Sequence, residues 1–523
     1  MKSLQALLQE LLRTDEAGAP GSYPTSVPLY PVTDKQFKEA ARALQLAGAR
    51  LAGEWATDET RYRRGFGVFA CYNRNAEYLL VKLQLHEEHP TFPSLTRKFP
   101  AAWRFERQIH SFMGIVPAGH PDLRPWIKHE DWPQGAWPLR KTFDPARPMP
   151  RVPGDYQWRR VEGDGVHEIP VGPVHAGIIE PGHFRFQVVG EDILHLEEKL
   201  GYVHKGIEKR FEALSWAEGA RLAGRISGDS TVAHALAYSQ AVESMTECTP
   251  PDRALWLRAV MLERERIANH LGDLGAIAND AALSFLFYQF MALREQMLRT
   301  NHGLFGHRLL MDGIRPGGVA ADLPPDGAQR ILDEMNGLLD RFEGLVTIYD
   351  ENASLDGRLR GTGILTPEQA GELGVVGLVA RASGQRLDCR IQHPRPPYDR
   401  VVPEVVVLNT GDVHARGWVR IEEVRESVRL IRRLLASLPS GETAIPWTPP
   451  APDRTGFSAV EGWRGEILCW LQSGPEREIN RCMVRDPSGV NWLGLERAIL
   501  GNIVPEFPLC NKSFNQSYSG HDL

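Results

Sequence analysis

Cysteine is scarce and scattered in this chain. Its 523 residues include six, Cys71, Cys248, Cys389, Cys469, Cys482 and Cys510, and no two of them form a C-x-x-C pair. That spacing argues against a disulfide framework and against a cysteine-only metal cluster, leaving each as a simple buried or surface thiol. Long basic runs are missing as well. Lys and Arg total 60 against 66 Asp and Glu, mixed throughout, for a formal net charge of −6, so neither nucleic acid nor a polybasic membrane anchor is expected. No G-x-G-x-x-G follows a strand pattern, which argues against a dinucleotide site within the chain. The most apolar stretch, Ala281 to Leu293, carries Phe285, Leu286, Phe287, Phe290 and Met291 but ends at Asp280 and Arg294. It falls short of the roughly 20 apolar residues that span a bilayer. At the start, Leu4, Leu7, Leu8, Leu11 and Leu12 recur at helical spacing with Glu10 among them, the pattern of an amphipathic helix and not of a secretory segment. A cytoplasmic protein with no direct membrane span is expected.

With 42% hydrophobic and 24% charged residues, the chain has the composition of a soluble globular protein of two or more domains. Pro145, Pro148, Pro150 and Pro153 gather with glycines and charges between residues 141 and 168, as an interdomain linker does. The expected division is 1–145, a linker at 146–168, and 169–523. Alternation through Ala76 to Leu83 predicts a strand within an α+β N-terminal module. Downstream, Glu247 to Met311 repeats apolar residues three and four apart, and strand-like runs such as Val405 to Leu408 are short and few. The second part therefore reads as a mainly α-helical bundle domain with small β hairpins and sheets.

Two segments carry the chemistry. Arg225-Ile226-Ser227-Gly228-Asp229-Ser230-Thr231-Val232-Ala233-His234 has the outline R-x-C-G-x-C-x-x-x-H with serine at both cysteine positions. The last line, Asn515-Gln516-Ser517-Tyr518-Ser519-Gly520-His521-Asp522-Leu523, overlies D-P-C-x-S-C-T-E-R with Ser517 and Gly520 in place of the second pair. These outlines resemble the large subunit of nickel-iron hydrogenases, where four thiolates hold the metals. A serine hydroxyl is a hard donor that does not ionise near neutral pH, so the resemblance implies a hydrogenase-like scaffold that binds no metal and makes no hydrogen.

Other segments extend the resemblance. Ser94-Leu95-Thr96, Phe99-Pro100-Ala101-Ala102-Trp103, Gly119-His120-Pro121-Asp122-Leu123-Arg124, Asp131-Trp132 and Pro138-Leu139-Arg140-Lys141 follow the order seen in the smaller of two hydrophilic subunits beside the quinone site of respiratory complex I. Gly172 to Lys209, Glu263 to Asp273, Gly313 to Val319, Ala380 to Arg390, Tyr398-Asp399 and Asn409 to Arg416 are similar to the larger one. So is Arg485-Asp486-Pro487-Ser488, which imitates a D-P-C motif but belongs with the family stretch R-x-P-S-x-x-N-L. Glu263, Arg266, Asn269 and His270 share one helical side and read as a buried polar network.

The fused complex I-like and group 4 hydrogenase family, of formate hydrogenlyase and hydrogenase-4 type, implies a role. It makes this chain an oxidoreductase subunit that binds no cofactor itself. An iron-sulfur cluster sits in a small partner subunit, a quinone-type acceptor is reduced, NAD(H) enters only through the complex, and antiporter-like membrane subunits hold the assembly on the cytoplasmic face of the inner membrane. In complex I a histidine on the Gly172 to Phe186 loop meets the quinone; alignment on Arg185 puts Pro181 there, with His183 two residues on. The family's quinone tyrosine falls in the segment matched by Gly228. The resemblance implies an open polar cavity between the Ser227–Ser230 and Ser517–Gly520 segments, with His183, Asp229 and His234 as its proton-handling groups. Glu180, Ser227, Gly228, Ser230, Arg381, Asp388, Arg390, Ser517, Gly520 and His521 would line it. Each has an alternative structural reading as a turn, cap or salt-bridge residue, and the whole chain has the alternative of a non-catalytic subunit that holds the cluster subunit against the membrane arm.

Overall fold

A computed structural model describes residues 2–12, 27–128, 132–154, 156–177 and 179–523; Asp131 lies outside them. The leucine-rich start forms helix α1 (Leu4–Leu12), with Leu4, Leu8 and Leu12 buried on one side. Strands β1 (Leu29–Val32), β2 (Arg50–Asp58), β3 (Phe66–Arg74) and β4 (Glu77–Leu85) make one sheet in the order β1-β4-β3-β2, with β1 and β4 parallel. Helix α2 (Asp34–Leu46) opens on a Thr33–Gln36 capping box, which satisfies two of its free N–H groups. Helix α3 (Ala102–Met113) packs against β2. β4 coincides with the predicted strand, yet it is buried on both faces instead of alternating, because helices cover one side of the sheet and a second sheet covers the other.

Among the described residues 119–165 form no helix or strand. A three-stranded sheet follows, β5 (Val166–Val171), β6 (His183–Val189) and β7 (Asp192–Lys199). The loop from Gly172 is the β5–β6 connection, with Val171 paired to Phe184. Long helices then dominate as predicted: α4 (Thr231–Thr246), α5 (Asp252–Asp280), α6 (Ser284–Phe305), α7 (Gly327–Glu351) and α8 (Val413–Ala436). α5 runs through the middle against α6 and α8. Leu286 and Phe290 of the apolar stretch are core residues, whereas Phe285 and Tyr288 are exposed. No helix among the described residues is long and apolar enough to cross a membrane.

Two expectations about strands need correction. Val405 to Leu408 forms no strand: the Leu408 N–H donates to Arg381 O and its carbonyl accepts from Gly384, so no strand ladder forms there among the described residues. Conversely β8 (Thr455–Gly462), β9 (Gly465–Ser473) and β10 (Ile479–Arg485) form a long antiparallel sheet that the sequence concealed. All three strands are buried along their length, and Glu461, Glu466, Arg481 and Arg485 sit in them as paired charges, which erases the period-two pattern. This sheet faces the first one. Trp55 of β2 stacks on Phe69 of β3 at 5.5 Å, and Phe69 meets Trp470 of β9 at 4.8 Å. Helix α9 (Ser488–Ala498) packs against helix α10 (Tyr518–Asp522) and strand β7.

Candidate functional site

The segment before α4 leaves the preceding helix at Gly224, turns through a 3-10 turn at Gly228–Ser230 and enters α4 at Thr231. The C-terminal segment reaches it because Ser517 caps α10, its Oγ accepting from Gly520 N at 2.8 Å, while Ser517 N donates to Ser488 Oγ at 2.8 Å. Glu180 on the β5–β6 loop accepts from the N–H groups of Tyr518 and Ser519 at 3.2 and 3.3 Å. The two serine segments therefore meet as expected.

They meet too closely for the expected opening. Ser227 Oγ and Ser517 Oγ are 2.9 Å apart, Ser227 also donates to Asp229 Oδ1 at 2.5 Å, and Ser227, Ser230, Ser517, Gly520 and His521 are buried. The two hydroxyls satisfy one another directly, and that hydrogen bond closes the space between the two segments. Asp486 takes up further space: a Cβ added at Gly520 would lie 2.7 Å from its Cγ. The Ser227, Ser230, Ser517 and Gly520 donor set does not fit nickel and iron, which take soft thiolates.

Asp229 is gripped from several sides. Arg464, at the β8–β9 turn, forks onto it at 2.8 and 2.6 Å, while Trp463 Nε1 and Asn269 Nδ2 donate to its carbonyl at 2.8 and 2.7 Å. Burial pushes the Asp229 carboxyl up, but the Arg464 charge and hydrogen bonds, helped by Ser227, hold it below the usual range. Arg464 also donates to Ser230 Oγ and to Asn515 O. Removing it by Arg464→Met strands Asp229. A third of that side chain reaches solvent, so the loss of stability falls below that of a fully buried pair, at about 2 kcal/mol by chemical denaturation.

The open space lies on the outer side of this turn. A Cβ at Gly228 would meet no atom within 4 Å, and Gly228 and Asp229 line a cavity of about 10 Å³ with Glu265, Asn269 and Asn301, about the size of one water. Glu265 was not singled out from the sequence. It lies on α5 beside the polar network and accepts from Val232 N at 2.7 Å and Ala233 N at 3.1 Å, at the start of α4. Burial raises its carboxyl to about 8, against the pull of those two N–H groups, and the nearby Asp229 charge adds to the rise. Its signal was its place two residues into Glu263-Arg264-Glu265-Arg266, where an acid off the shared network side needs another partner.

Of the remaining predicted residues, His234 and His521 stay beside the seat, whereas Arg381, Asp388 and Arg390 do not. His234 Nε2 is 2.9 Å from Asp486 Oδ2, and that contact, with the charge of Arg464, holds the buried Asp486 down to about 2. His521 contacts Asp522 at 2.9 Å and packs edge-on against Trp126, and burial lowers its pKa. His183 lies at the base of the hairpin, with Nδ1 3.1 Å from Gly172 O and its ring against Trp158; burial lowers its pKa too. That geometry makes it a hairpin clasp. Arg381, Asp388 and Arg390 line no opening with Ser227. They belong to a buried network: Arg381 bonds Glu423 and Glu461, Arg390 bonds Asp388 and Glu263, Arg266 bonds Glu263, and His270 lies 2.8 Å from Glu423. Asn269, expected in that network, turns to Asp229 instead. Among the described residues no group of three or more His, Cys, Asp or Glu side chains could hold a metal ion.

Known proteins resemble this chain over most of its length. Residues 30–148 match the family described as the respiratory-chain NADH dehydrogenase 30 kDa subunit, and residues 280–451 match its 49 kDa subunit. Formate hydrogenlyase subunit 5 of Escherichia coli K12 is 32% identical over 91% of this chain and 85% of its own length. The C/D component of NADH-quinone oxidoreductase from Bacteroides thetaiotaomicron is 31% identical over 74% of this chain and 76% of its own. A chain in the structure of the membrane-bound sulfane sulfur reductase, an archaeal respiratory membrane complex, superposes with a TM-score of 0.65 at 26% identity, covering 69% of this chain and 99% of that one. The chain belongs to the family that unites the 30 and 49 kDa subunits of respiratory NADH dehydrogenase with the large subunits of formate hydrogenlyase-type hydrogenases, a family of oxidoreductase subunits.

Proposed function

We propose that this chain is the peripheral electron-transfer subunit of a membrane-bound, complex I-like or hydrogenase-related oxidoreductase. In this reading it sits beside a small iron-sulfur subunit and antiporter-like membrane subunits, on the cytoplasmic face. NAD(H) reaches the assembly only through other subunits. A quinone-type acceptor approaches the outer edge of the seat at Gly228, where the family tyrosine is absent and space is open. The observation that carries the reading is a pair of carboxyls lining one cavity with opposite protonation: Asp229 held below the usual range and Glu265 raised to about 8. Such divergent pairs mark acid and base roles. Reducing a quinone to a quinol takes two electrons, from the partner's cluster, and two protons. Glu265, protonated at neutral pH, supplies one and solvent at the exposed Gly228 edge supplies the other, while ionised Asp229, gripped by Arg464, fixes the turn that shapes that edge.

A second reading, a non-catalytic subunit that holds the cluster subunit against the membrane arm, is favoured by the Ser227–Ser517 hydrogen bond that closes the seat. The test is cluster reoxidation in the complex purified with its partners, with and without added quinone, alongside nickel analysis. Quinone-dependent reoxidation without nickel, slowed by about a hundredfold in Glu265→Gln, supports electron transfer. No response to quinone leaves the structural role, and stoichiometric nickel overturns both.

A further inference from the structure

A second cavity lies where the two sheets and α3 meet, away from the serine seat. It holds about 40 Å³ and is lined by Glu54 of β2, Phe105 and Gln108 of α3, Glu208, and Arg481 and Arg485 of β10. At roughly 15 Å³ per water, it has room for two or three. Glu54 is 5% exposed, and among the described residues neither of its carboxyl oxygens has a hydrogen-bond partner. Arg485 Nε, in the same lining, is also without one, although both Arg485 terminal nitrogens are committed to Glu466. The Arg481 guanidinium is spent on Ala56 O, Cys482 O and Glu208. A buried carboxyl with no protein partner is tolerated only when it is neutral, hydrated, or both.

We propose that this junction cavity is a water-filled proton-exchange site centred on Glu54. The groups that face Glu54 are Glu106 on α3, Tyr72 on β3, Arg481 and Arg485 on β10, and Glu208 on the helix Ile207–Phe211. Glu106 already accepts from Ser94, Thr96 and the Leu95 N–H, so the pair divides unequally: Glu106 takes the protein donors and Glu54 is left to water. Tyr72 Oη is likewise without a partner among the described residues. Burial first, and the Glu106 charge second, push the Glu54 carboxyl well above the usual carboxylate range, which agrees with a neutral acid hydrogen-bonded to internal water.

Infrared spectra of the full chain at pH 7, in H₂O and after exchange into D₂O, test this. The expected result is a carboxylic-acid carbonyl band that shifts in D₂O and is missing from Glu54→Gln. Absence of a Glu54-dependent band, or a band that D₂O does not move, overturns the proposal. Should Glu54→Gln fail to fold, a high-resolution map of the unaltered protein decides: ordered water on Glu54 supports the site, and an empty cavity overturns it.

Discussion

Arg381→Met is expected to lose about 3–5 kcal/mol of stability, the cost of stripping a buried charge of its partner. Arg381 is 1% exposed and holds three carboxylates together: Nε donates to Glu423 and Nη1 to Glu461, both at 2.8 Å, with Asp388 at 3.6 Å. Nη1 also donates to Leu387 O at 2.8 Å. Without the guanidinium those acids face each other in a low-dielectric interior, with only Arg266 and Arg390 left to compensate. Glu461 is already raised, by burial and then by Asp388, and Arg381 is the leading influence pulling it back. The variant therefore takes up a proton there, and its stability falls more steeply with rising pH than that of the parent chain. Arg381→Lys, which keeps the charge but not the planar fork, recovers part of the loss. Denaturant titration of the three proteins checks this, and a loss below about 1 kcal/mol, the range of surface pairs, would show that the network holds together without its central arginine.

The second large effect is a pH dependence carried by Glu265, whose carboxyl moves from an ordinary 4.5 to about 8 in the folded chain. Below about pH 4.5 it is protonated whether the chain is folded or not, and its contribution is fully present. Between 4.5 and 8 the unfolded chain releases the proton while the folded chain keeps it, so stability drops as pH rises; above 8 the drop is complete. At 1.36 kcal/mol per unit, the span is roughly 4–5 kcal/mol. Glu265→Gln cannot ionise. It bears a pH-independent cost of about 1–2 kcal/mol, because a carboxamide cannot accept from both Val232 N and Ala233 N, but its stability declines less between pH 5 and 8. Parallel denaturation curves across that range measure the difference, and equal slopes would rule Glu265 out as the titrating group. Glu106, raised by burial to about 7, slopes the same way in both proteins and cancels in the comparison.

Local patterns were easy to read where they were repeated or punctuated. Helical spacing announced α1 and α5, and the two outlines with serine for cysteine pointed to the seat. The β8–β10 sheet was not legible, because strands buried on both faces with paired charges inside lose the alternation that reveals a strand. Asp486 was assigned to the R-x-P-S-x-x-N-L stretch and not to the second cysteine-pair segment, yet it reaches His234 and fills the space beside Gly520. Arg464 had no local signature and Glu265 only its place off the network side of the helix: one sits in a hairpin turn, the other among look-alike charges, and each gains its partner from a segment tens to hundreds of residues away.

By itself, then, the sequence determined the family, the helical character of the second part and the presence of serine and glycine, not cysteine, at positions 227, 230, 517 and 520, since these rest on residue identity and short-range spacing. Only the tertiary structure decided that the emptied seat closes on a serine–serine hydrogen bond instead of opening. It also sent Arg381, Asp388 and Arg390 to an internal charge network, and it paired a low carboxyl with a high one at the outer edge. The physical reason is that burial and partnership, which set both pKa and hydrogen bonding, are properties of contacts between distant segments.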